Sequence, residues 1–211
     1  ENIGHGSWEN AFNEKDFLAP DIFETLHTKS KLLYKMSKRE HVTKEVDYPE
    51  IDERLGKYNV KQSVQDCMRF RFWCNGDDVM KETVDFFGAE IEQVLLTTKQ
   101  FLIDKGWKDI KLSNIWFQYG DMETQMHNHT DGTIHDATYE NCFTSMIFSH
   151  PEWDNECGGQ FKLIDHDNKI QEFNPDPNSL LMWNRDHPHW MCPIVKECPL
   201  RMFIGMSWYE K

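Results

Sequence analysis

The sequence predicts an α+β fold, mainly β, in which helices come first and many short strands follow. Before residue 110, two long stretches carry apolar residues at three- and four-residue spacing, which is typical of amphipathic helices. From residue 111, short apolar or alternating runs are separated by Gly, Pro, Asn and Asp clusters, which is typical of strands. Because the helices precede the strands instead of alternating with them, we expect a sandwich or barrel buttressed by helices rather than a βαβ sheet.

The helical part is predicted as two helices with a strand between them. The first helix extends from Ala19 to Lys38, with Pro20 in its first turn. Met68 to Cys74 alternates Phe with Arg or Met and favours a half-buried strand. The second helix extends from Met80 to Gly106, and its length is expected to absorb Gly88, which costs up to about 1 kcal/mol relative to Ala.

Residues 37 to 65 are charged and non-periodic, with Pro49 and Gly56 as breakers, which favours a long surface loop and a candidate lid. The later strands are predicted at Leu112 to Tyr119, Phe143 to Phe148, Gln160 to Asp165, Ser179 to Trp183 and Arg201 to Trp208. The length of 211 residues suits one domain. We therefore expect a single domain, with residues 1–110 as helical support and lid and residues 111–211 as the β core.

Charge and cysteine content narrow the partners and the compartment. The 36 acidic and 23 basic residues give a formal net charge of −13, which disfavours nucleic acid and anionic membranes. No apolar run approaches the length that spans a membrane, so a soluble, cytoplasmic protein is expected. The six cysteines form no C-x-x-C pair, which suits plain thiols in a reducing compartment; a Cys192–Cys198 disulfide is the alternative.

The segment QMHNHTDG, residues 125–132, contains candidate metal ligands. On an extended segment the side chains of His129 and Asp131 point the same way and can address one ion. His189 offers a distant third ligand. Two His and one carboxylate are typical of non-haem iron(II) sites with open positions, whereas a structural zinc site would need a fourth protein ligand. From the residues alone, His127 competes with His129, and His187 with His189.

Arg201 begins an otherwise apolar predicted strand. Because a buried unpaired charge is expensive, this guanidinium needs an anion. A planar guanidinium binds a carboxylate through two hydrogen bonds, so one end of a dicarboxylate could be held at Arg201 while its other end chelates the metal.

Taken together, these motifs resemble the 2-oxoglutarate- and Fe(II)-dependent oxygenases, closest to their prolyl 4-hydroxylase and hypoxia-sensing prolyl hydroxylase branch. The resemblance covers residues 119–209, just under half of the chain. The matching pieces, in order, are Tyr119 ten residues before His129, His129-x-Asp131, Phe148 through Trp153-Asp154 to Gly158-Gly159-x-Phe161, Leu180-Leu181-x-Trp183, Pro188-His189-x-x-x-Pro193, and Arg201 to Tyr209. The distance from Tyr119 then favours His129 over His127, and the proline four residues on favours His189 over His187.

The resemblance implies a double-stranded β-helix, the jelly-roll or cupin-type core, with N-terminal support helices. It implies His129, Asp131 and His189 as iron ligands and Arg201 as the partner of the far carboxylate of 2-oxoglutarate. Tyr119 matches a tyrosine that hydrogen-bonds the cosubstrate, and Phe161 matches a wall of its pocket. The implied cofactors are Fe(II), 2-oxoglutarate and O2, with ascorbate as a candidate reductant.

The implied activity is a dioxygenase reaction that hydroxylates a C–H bond while 2-oxoglutarate is decarboxylated to succinate. From the branch resembled, the expected substrate is a prolyl residue in a peptide or protein. A free amino acid or other small molecule is the alternative, and a non-catalytic metal-binding jelly-roll module is the rival from another class. Three features depart from the pattern of the hypoxia-sensing enzymes: the longer insertion between Asp131 and Phe143, the longer segment from Pro193 to Arg201, and Phe148 where a second cosubstrate tyrosine is expected. Arg69 and Arg71 are expected on the wet face of a strand, unless they line the cleft and grip an acidic peptide.

Overall fold

The computed structural model describes residues 11–42, 65–72, 78–122, 124–134 and 137–211. Most of the predicted loop from residue 37 to 65 lies outside these ranges. The helices are α1 (Pro20–Tyr34), α2 (Val79–Phe87) and α3 (Ala89–Asp104). The strands are β1 (Phe12–Glu14), β2 (Lys38–Val42), β3 (Gln65–Phe72), β4 (Ile110–Gly120), β5 (Met126–His129), β6 (Cys142–Phe148), β7 (Phe161–Ile164), β8 (Ile170–Phe173), β9 (Leu180–Asn184), β10 (His189–Met191) and β11 (Arg201–Glu210).

The strands form two antiparallel sheets, which confirms the predicted α+β, mainly β class. The large sheet has the order β1-β9-β6-β11-β4-β3-β2, and the small sheet has the order β5-β10-β7-β8. The five strands predicted after residue 111 correspond to β4, β6, β7, β9 and β11. The short strands β5 and β10, which carry the candidate histidines, are too brief for their periodicity to be read from sequence.

The predicted helix from Met80 to Gly106 is wrong as a single element. The chain breaks at Gly88, where φ is +102°, and continues as a second helix. Glycine adopts this backbone conformation at little cost, so here it ends one helix instead of being absorbed by it. The Asp78 side chain caps α2 by accepting from the backbone N–H of Lys81, 3.0 Å away. Among the described helices, none combines the length and the apolar character that a membrane crossing requires.

Side-chain alternation gives the large sheet two different buried faces. On β4, Ile115 and Phe117 belong to the main core with the helices, whereas Trp116 faces the small sheet. A second apolar cluster fills the space between the sheets and includes Phe161 and Leu163 from β7. The helices therefore support one face of the large sheet and leave its other face to the small sheet.

A disulfide joins Cys157 to Cys198, 41 residues apart in sequence. The expectation that all six cysteines are plain thiols is wrong for this pair, and so is the alternative Cys192–Cys198 pairing, because Cys192 is free. The backbone N–H of Val195 donates to the Cys157 carbonyl at 2.9 Å, which brings the segment before β11 beside the turn that contains Cys157. Sequence spacing alone does not determine such a pairing.

Candidate active site

A cavity of about 390 Å³ lies between the two sheets. The described residues that line it include the candidate ligands together with apolar, amide and cationic side chains: Arg69, Arg71, Asn114, Trp116, Gln118, Met126, His127, His129, Asp131, Thr144, Met146, Phe161, Trp183, Arg185, His189, Phe203 and Ser207. A larger depression of about 700 Å³ lies beside α2 and the start of β4. In the described ranges no group of metal-binding side chains borders that depression, so the smaller cavity is the candidate site.

His129, Asp131 and His189 meet at one end of this cavity. His129 ends β5 and is paired in register with His189 at the start of β10. Asp131 lies two residues beyond β5, with its carboxylate 3.7 Å from His129 Nε2 and 3.9 Å from His189 Nε2. Because one donor atom of each residue lies within 4.8 Å of the other two, the three side chains could hold one metal ion.

Both imidazoles are fixed by the same backbone device. His129 Nδ1 lies 2.8 Å from the carbonyl oxygen of His127, and His189 Nδ1 lies 2.9 Å from the carbonyl oxygen of His187. When each Nδ1–H donates to its carbonyl, each Nε2 carries the lone pair that could bind a metal ion. A second hydrogen bond of this kind is typical of metal-binding histidines because it sets the tautomer and the ring orientation.

The protonation states suit a metal. Burial lowers the pKa of His189 to about 3, and the nearby His129 imidazole adds to this effect, so the His189 ring is neutral at pH 7. Burial alone would raise the pKa of Asp131, but His189, Arg185, His129 and a hydrogen bond from Thr144 outweigh it and lower this pKa to about 2. A neutral imidazole and an ionised carboxylate are the forms that coordinate metal ions.

A polar network from the large sheet holds Asp131. The hydroxyl of Thr144 donates to Asp131 Oδ2 at 2.6 Å and accepts from Arg185 Nη1 at 3.0 Å. Arg185 also donates to the hydroxyl of Ser207 at 2.9 Å and to the carbonyl oxygen of Gly132 at 2.6 Å. Sequence reasoning missed Thr144 and Arg185, since neither belongs to a spaced motif.

Arg201 is buried at the start of β11, with 2% of its surface exposed. Its guanidinium carbon lies 4.9 Å from the Phe148 ring centre and 5.4 Å from that of Phe203, and Nε donates to the Gly159 carbonyl at 3.1 Å. Gly159 has φ +73°, and an added Cβ would lie 3.2 Å from Arg201 Cδ, so the second glycine of the pair permits this approach.

Burial lowers the pKa of Arg201 to about 9, and the described residues include no carboxylate paired with it. The guanidinium is not itself part of the cavity lining, but Phe203, whose ring it contacts, is. A buried cation without a protein anion is the arrangement that sequence reasoning expected for a bound carboxylate.

Of the two side chains predicted to contact the cosubstrate, Phe161 lines the cavity and Tyr119 does not. Phe161 lines the cavity and lies nearly parallel to the His189 ring, with centres 5.3 Å apart. Tyr119 faces the helices instead, and its hydroxyl donates to the Ser30 carbonyl at 2.6 Å. The expectation that Tyr119 contacts a cosubstrate is therefore not supported: the residue paired with Arg201 is Gly120, so Tyr119 lies on the opposite face of the sheet.

Two polar atoms of the cavity wall have no hydrogen-bond partner among the described residues. They are Nε1 of Trp183 and Nδ1 of His127. Burial lowers the pKa of His127 to about 4, and the neighbouring charge of His129 contributes, so this ring too is neutral at pH 7. The His127 ring is not among the three candidate metal ligands, His129, Asp131 and His189. The backbone carbonyl oxygen of His127 instead holds the His129 ring. Nε1 of Trp183 and Nδ1 of His127 are therefore available to hydrogen-bond a molecule that enters the cavity.

Two arginines of β3, Arg69 and Arg71, also line the cavity. Arg69 is only 8% exposed and donates from Nε and Nη2 to Gln118 Oε1, at 3.2 and 3.0 Å. Arg71, two residues along β3, is exposed and lines the same cavity. The expectation that Arg69 lies on a solvent-exposed strand face is wrong. The alternative, that the side chains of Arg69 and Arg71 line the cleft, agrees with the structure.

Residues 115–210 match the model of the 2OG-Fe(II) oxygenase superfamily. A search of curated proteins found no match to the sequence. Similar folds are found in solved structures. A prolyl-4-hydroxylase of Pseudomonas putida is 15% identical with a TM-score of 0.59, over 95% of this chain and 92% of that one.

Two further structures show the range of this similarity. A prolyl hydroxylase of Trichoplax adhaerens, in complex with a hypoxia inducible factor oxygen degradation domain peptide, is 17% identical with a TM-score of 0.65, over 96% of this chain and 84% of that one. HygX of Streptomyces hygroscopicus, with nickel and 2-oxoglutarate bound, is 8% identical with a TM-score of 0.58, over 95% and 83% of the two chains. At these identities the structural likeness shows a shared fold.

Proposed function

We propose that this chain, a member of the 2OG-Fe(II) oxygenase superfamily, hydroxylates a prolyl residue of a peptide or protein while 2-oxoglutarate is converted to succinate and carbon dioxide. The family uses Fe(II), 2-oxoglutarate and O2. The observation that carries the proposal is the convergence of His129, Asp131 and His189 in a cavity whose wall covers a buried arginine, Arg201, that has no acidic partner among the described residues.

In this proposal His129, Asp131 and His189 hold the iron. Their donor set is two imidazoles and one carboxylate, and the backbone carbonyls of residues 127 and 187 already orient both rings. When bound, iron with 2-oxoglutarate and oxygen supplies the oxidising power for C–H hydroxylation. The protein orients the reactants and excludes water, and the apolar side chains of Met146, Phe161 and Phe203 suit the second task.

Arg201 is the proposed partner of the far carboxylate of 2-oxoglutarate. A carboxylate would neutralise the guanidinium that the described residues leave without an acidic partner. Where the resemblance to the hypoxia-sensing prolyl hydroxylases leads us to expect a second cosubstrate tyrosine, this chain has Phe148, whose ring contacts the guanidinium and offers no hydrogen bond. The indole N–H of Trp183, which lines the cavity without a partner among the described residues, is the proposed replacement donor to the bound cosubstrate.

The charge of the cavity favours a substrate that carries a carboxylate. Among the described residues, Arg69, Arg71 and Arg185 line it and Asp131 is the one carboxylate. This excess of cations contrasts with the formal net charge of −13 for the whole chain. An acidic peptide that contains proline fits this charge. The second candidate, a free amino acid or other small carboxylate, fits it equally, since a cavity of about 390 Å³ is within the range of small-molecule sites.

The test measures succinate formed from 2-oxoglutarate under air with Fe(II), together with mass spectrometry of candidate substrates. We expect activity that requires iron, that is abolished in His129→Ala and Arg201→Ala, and that adds one oxygen atom to proline in acidic peptides. Lys111→Gln is the control, because it removes one cation from an exposed ion pair with Asp109. Turnover unchanged in either site variant would refute the assignment, and oxygen added only to free amino acids would select the second candidate.

A further inference from the structure

A second group of potential metal ligands lies where two turns meet, outside the cavity. His166 belongs to the turn between β7 and β8, and Asp186 and His187 belong to the turn between β9 and β10. One donor atom of each lies within 4.8 Å of the other two. His166 Nε2 is 3.3 Å from Asp186 Oδ2, and the two imidazole rings are centred 4.5 Å apart. Two imidazoles and one carboxylate thus converge a second time.

The two turns are held in place by hydrogen bonds. The Asp165 carboxylate accepts from the backbone N–H of Lys169 and from the side chain of Gln171, both at 2.8 Å. The Ile164 N–H donates to the Pro188 carbonyl at 2.9 Å, which ties the first turn to the second. Because both turns are fixed by neighbours outside the cluster, little ordering is needed to bring the three side chains to one ion.

His187 is oriented in the same way as the two triad histidines. Its Nδ1 lies 2.9 Å from the backbone carbonyl oxygen of Ile164. When Nδ1–H donates to this carbonyl, Nε2 carries the lone pair that could bind a metal ion. A backbone carbonyl that fixes the tautomer is the support that metal-binding histidines commonly have.

Asp186 provides an independent observation. Its Oδ1 atom is buried and has no hydrogen-bond partner among the described residues, whereas Oδ2 faces His166. A buried carboxylate oxygen without a partner is costly, and a cation in contact with the carboxylate would offset that cost.

We propose that His166, Asp186 and His187 form a second metal site, separate from the catalytic one, for a borderline transition-metal ion such as Zn²⁺ or Co²⁺. Imidazole nitrogen with one carboxylate favours these ions over Mg²⁺ or Ca²⁺, which prefer oxygen ligands. Tetrahedral coordination with Zn–N bonds near 2.0 Å puts donor atoms about 3.3 Å apart. The His166–Asp186 pair already has this separation.

The remaining coordination positions face solvent. The side chains of His166 and Asp186 are 33% and 30% exposed, which leaves room for an entering ion and for water as a fourth ligand. His187 also connects the second site to the first, because its backbone carbonyl accepts from Nδ1 of His189, a proposed iron ligand, at 2.9 Å. An ion bound to the His187 ring would restrain the backbone that orients a proposed iron ligand.

The experiment is equilibrium dialysis of the full chain against Co²⁺, with the bound ion counted per chain. We expect two ions in the wild type and one in His166→Ala. Asp167→Asn is the matched control in the same turn; its side chain is 76% exposed and outside the cluster, so this variant keeps two ions. Asp186→Asn is a second test and is expected to lose the same ion. Circular dichroism and thermal melts establish that each variant is folded.

The location of the ion distinguishes the two sites. We expect anomalous scattering from a Co²⁺-soaked crystal to show one peak between His129 and His189 and another between His166 and His187. A double variant, His129→Ala with Asp131→Ala, is expected to keep only the second peak, so this proposal can stand if the catalytic assignment fails. The same number of bound ions in His166→Ala as in the wild type, or no anomalous peak between His166 and His187, would overturn it.

Discussion

Replacement of Thr144 by valine tests whether the large sheet prepares Asp131 for a metal. Valine keeps the size of the side chain but removes the donor of the 2.6 Å bond to Asp131 Oδ2 and the acceptor for Arg185 Nη1. A hydrogen bond to a charged group contributes about 1.5–3 kcal/mol. Outer partners of metal ligands typically change metal affinity by about 10- to 100-fold, which corresponds to about 1.4–2.7 kcal/mol. We therefore expect Thr144→Val to weaken metal binding by about this factor.

The measurement is titration calorimetry with Mn²⁺, which is redox-stable in air, at pH 7. Thr144→Ser keeps the hydroxyl and is the matched control, expected to stay within about threefold of the wild type. Thermal melts without metal show whether the valine variant is folded. If Thr144→Val binds Mn²⁺ as tightly as the wild type, the carboxylate does not depend on this network and the reasoning is refuted.

Three further predictions concern stability and specificity. Burial lowers the pKa of His150 from 6.5 to about 4, so the stability that the neutral ring contributes is complete above pH 6.5 and is lost as the pH falls towards 4. Between pH 7 and 4.5, the free energy of unfolding in urea should therefore fall by about 2 kcal/mol more for the wild type than for His150→Gln. Parallel pH profiles of the two proteins would contradict this. The double variant Cys157→Ser with Cys198→Ser opens a loop with a sequence separation of 41 and should lower the free energy of unfolding by about 4 kcal/mol. A reduced wild type as stable as the oxidised wild type would contradict this. Arg71→Gln should raise the KM for an acidic substrate and leave that for a neutral analogue unchanged; equal effects on both would remove Arg71 from substrate recognition.

The sequence predicted the fold class because its signals are local. Alternating or continuous apolar runs of five to eight residues define β4, β6 and β11, and these strands form the middle of the large sheet. The candidate ligands were predictable for a related reason: His129 and Asp131 are two residues apart on an extended segment, so sequence spacing translates directly into a shared direction. His189 required the resemblance to a family, since only the fold brings it opposite His129.

The errors come from properties that depend on the whole fold. Tyr119 matches the family by spacing, but a difference of one residue in register turns a strand side chain to the other face. The roles of Arg185 and Trp183 depend on contacts between distant strands, which carry no spacing signal. The partner of Cys198 was likewise set by the approach of two loops.

A crystal of this chain soaked with Mn²⁺ and 2-oxoglutarate without oxygen would show whether the proposed iron ligands and Arg201 act together on one bound cosubstrate. We expect one Mn²⁺ ion bound by Nε2 of His129, Nε2 of His189 and the Asp131 carboxylate, with the far carboxylate of 2-oxoglutarate on Arg201. An ion bound elsewhere in the cavity, or a cosubstrate whose far carboxylate lies on Arg69 or Arg185 while Arg201 stays unpaired, would contradict it.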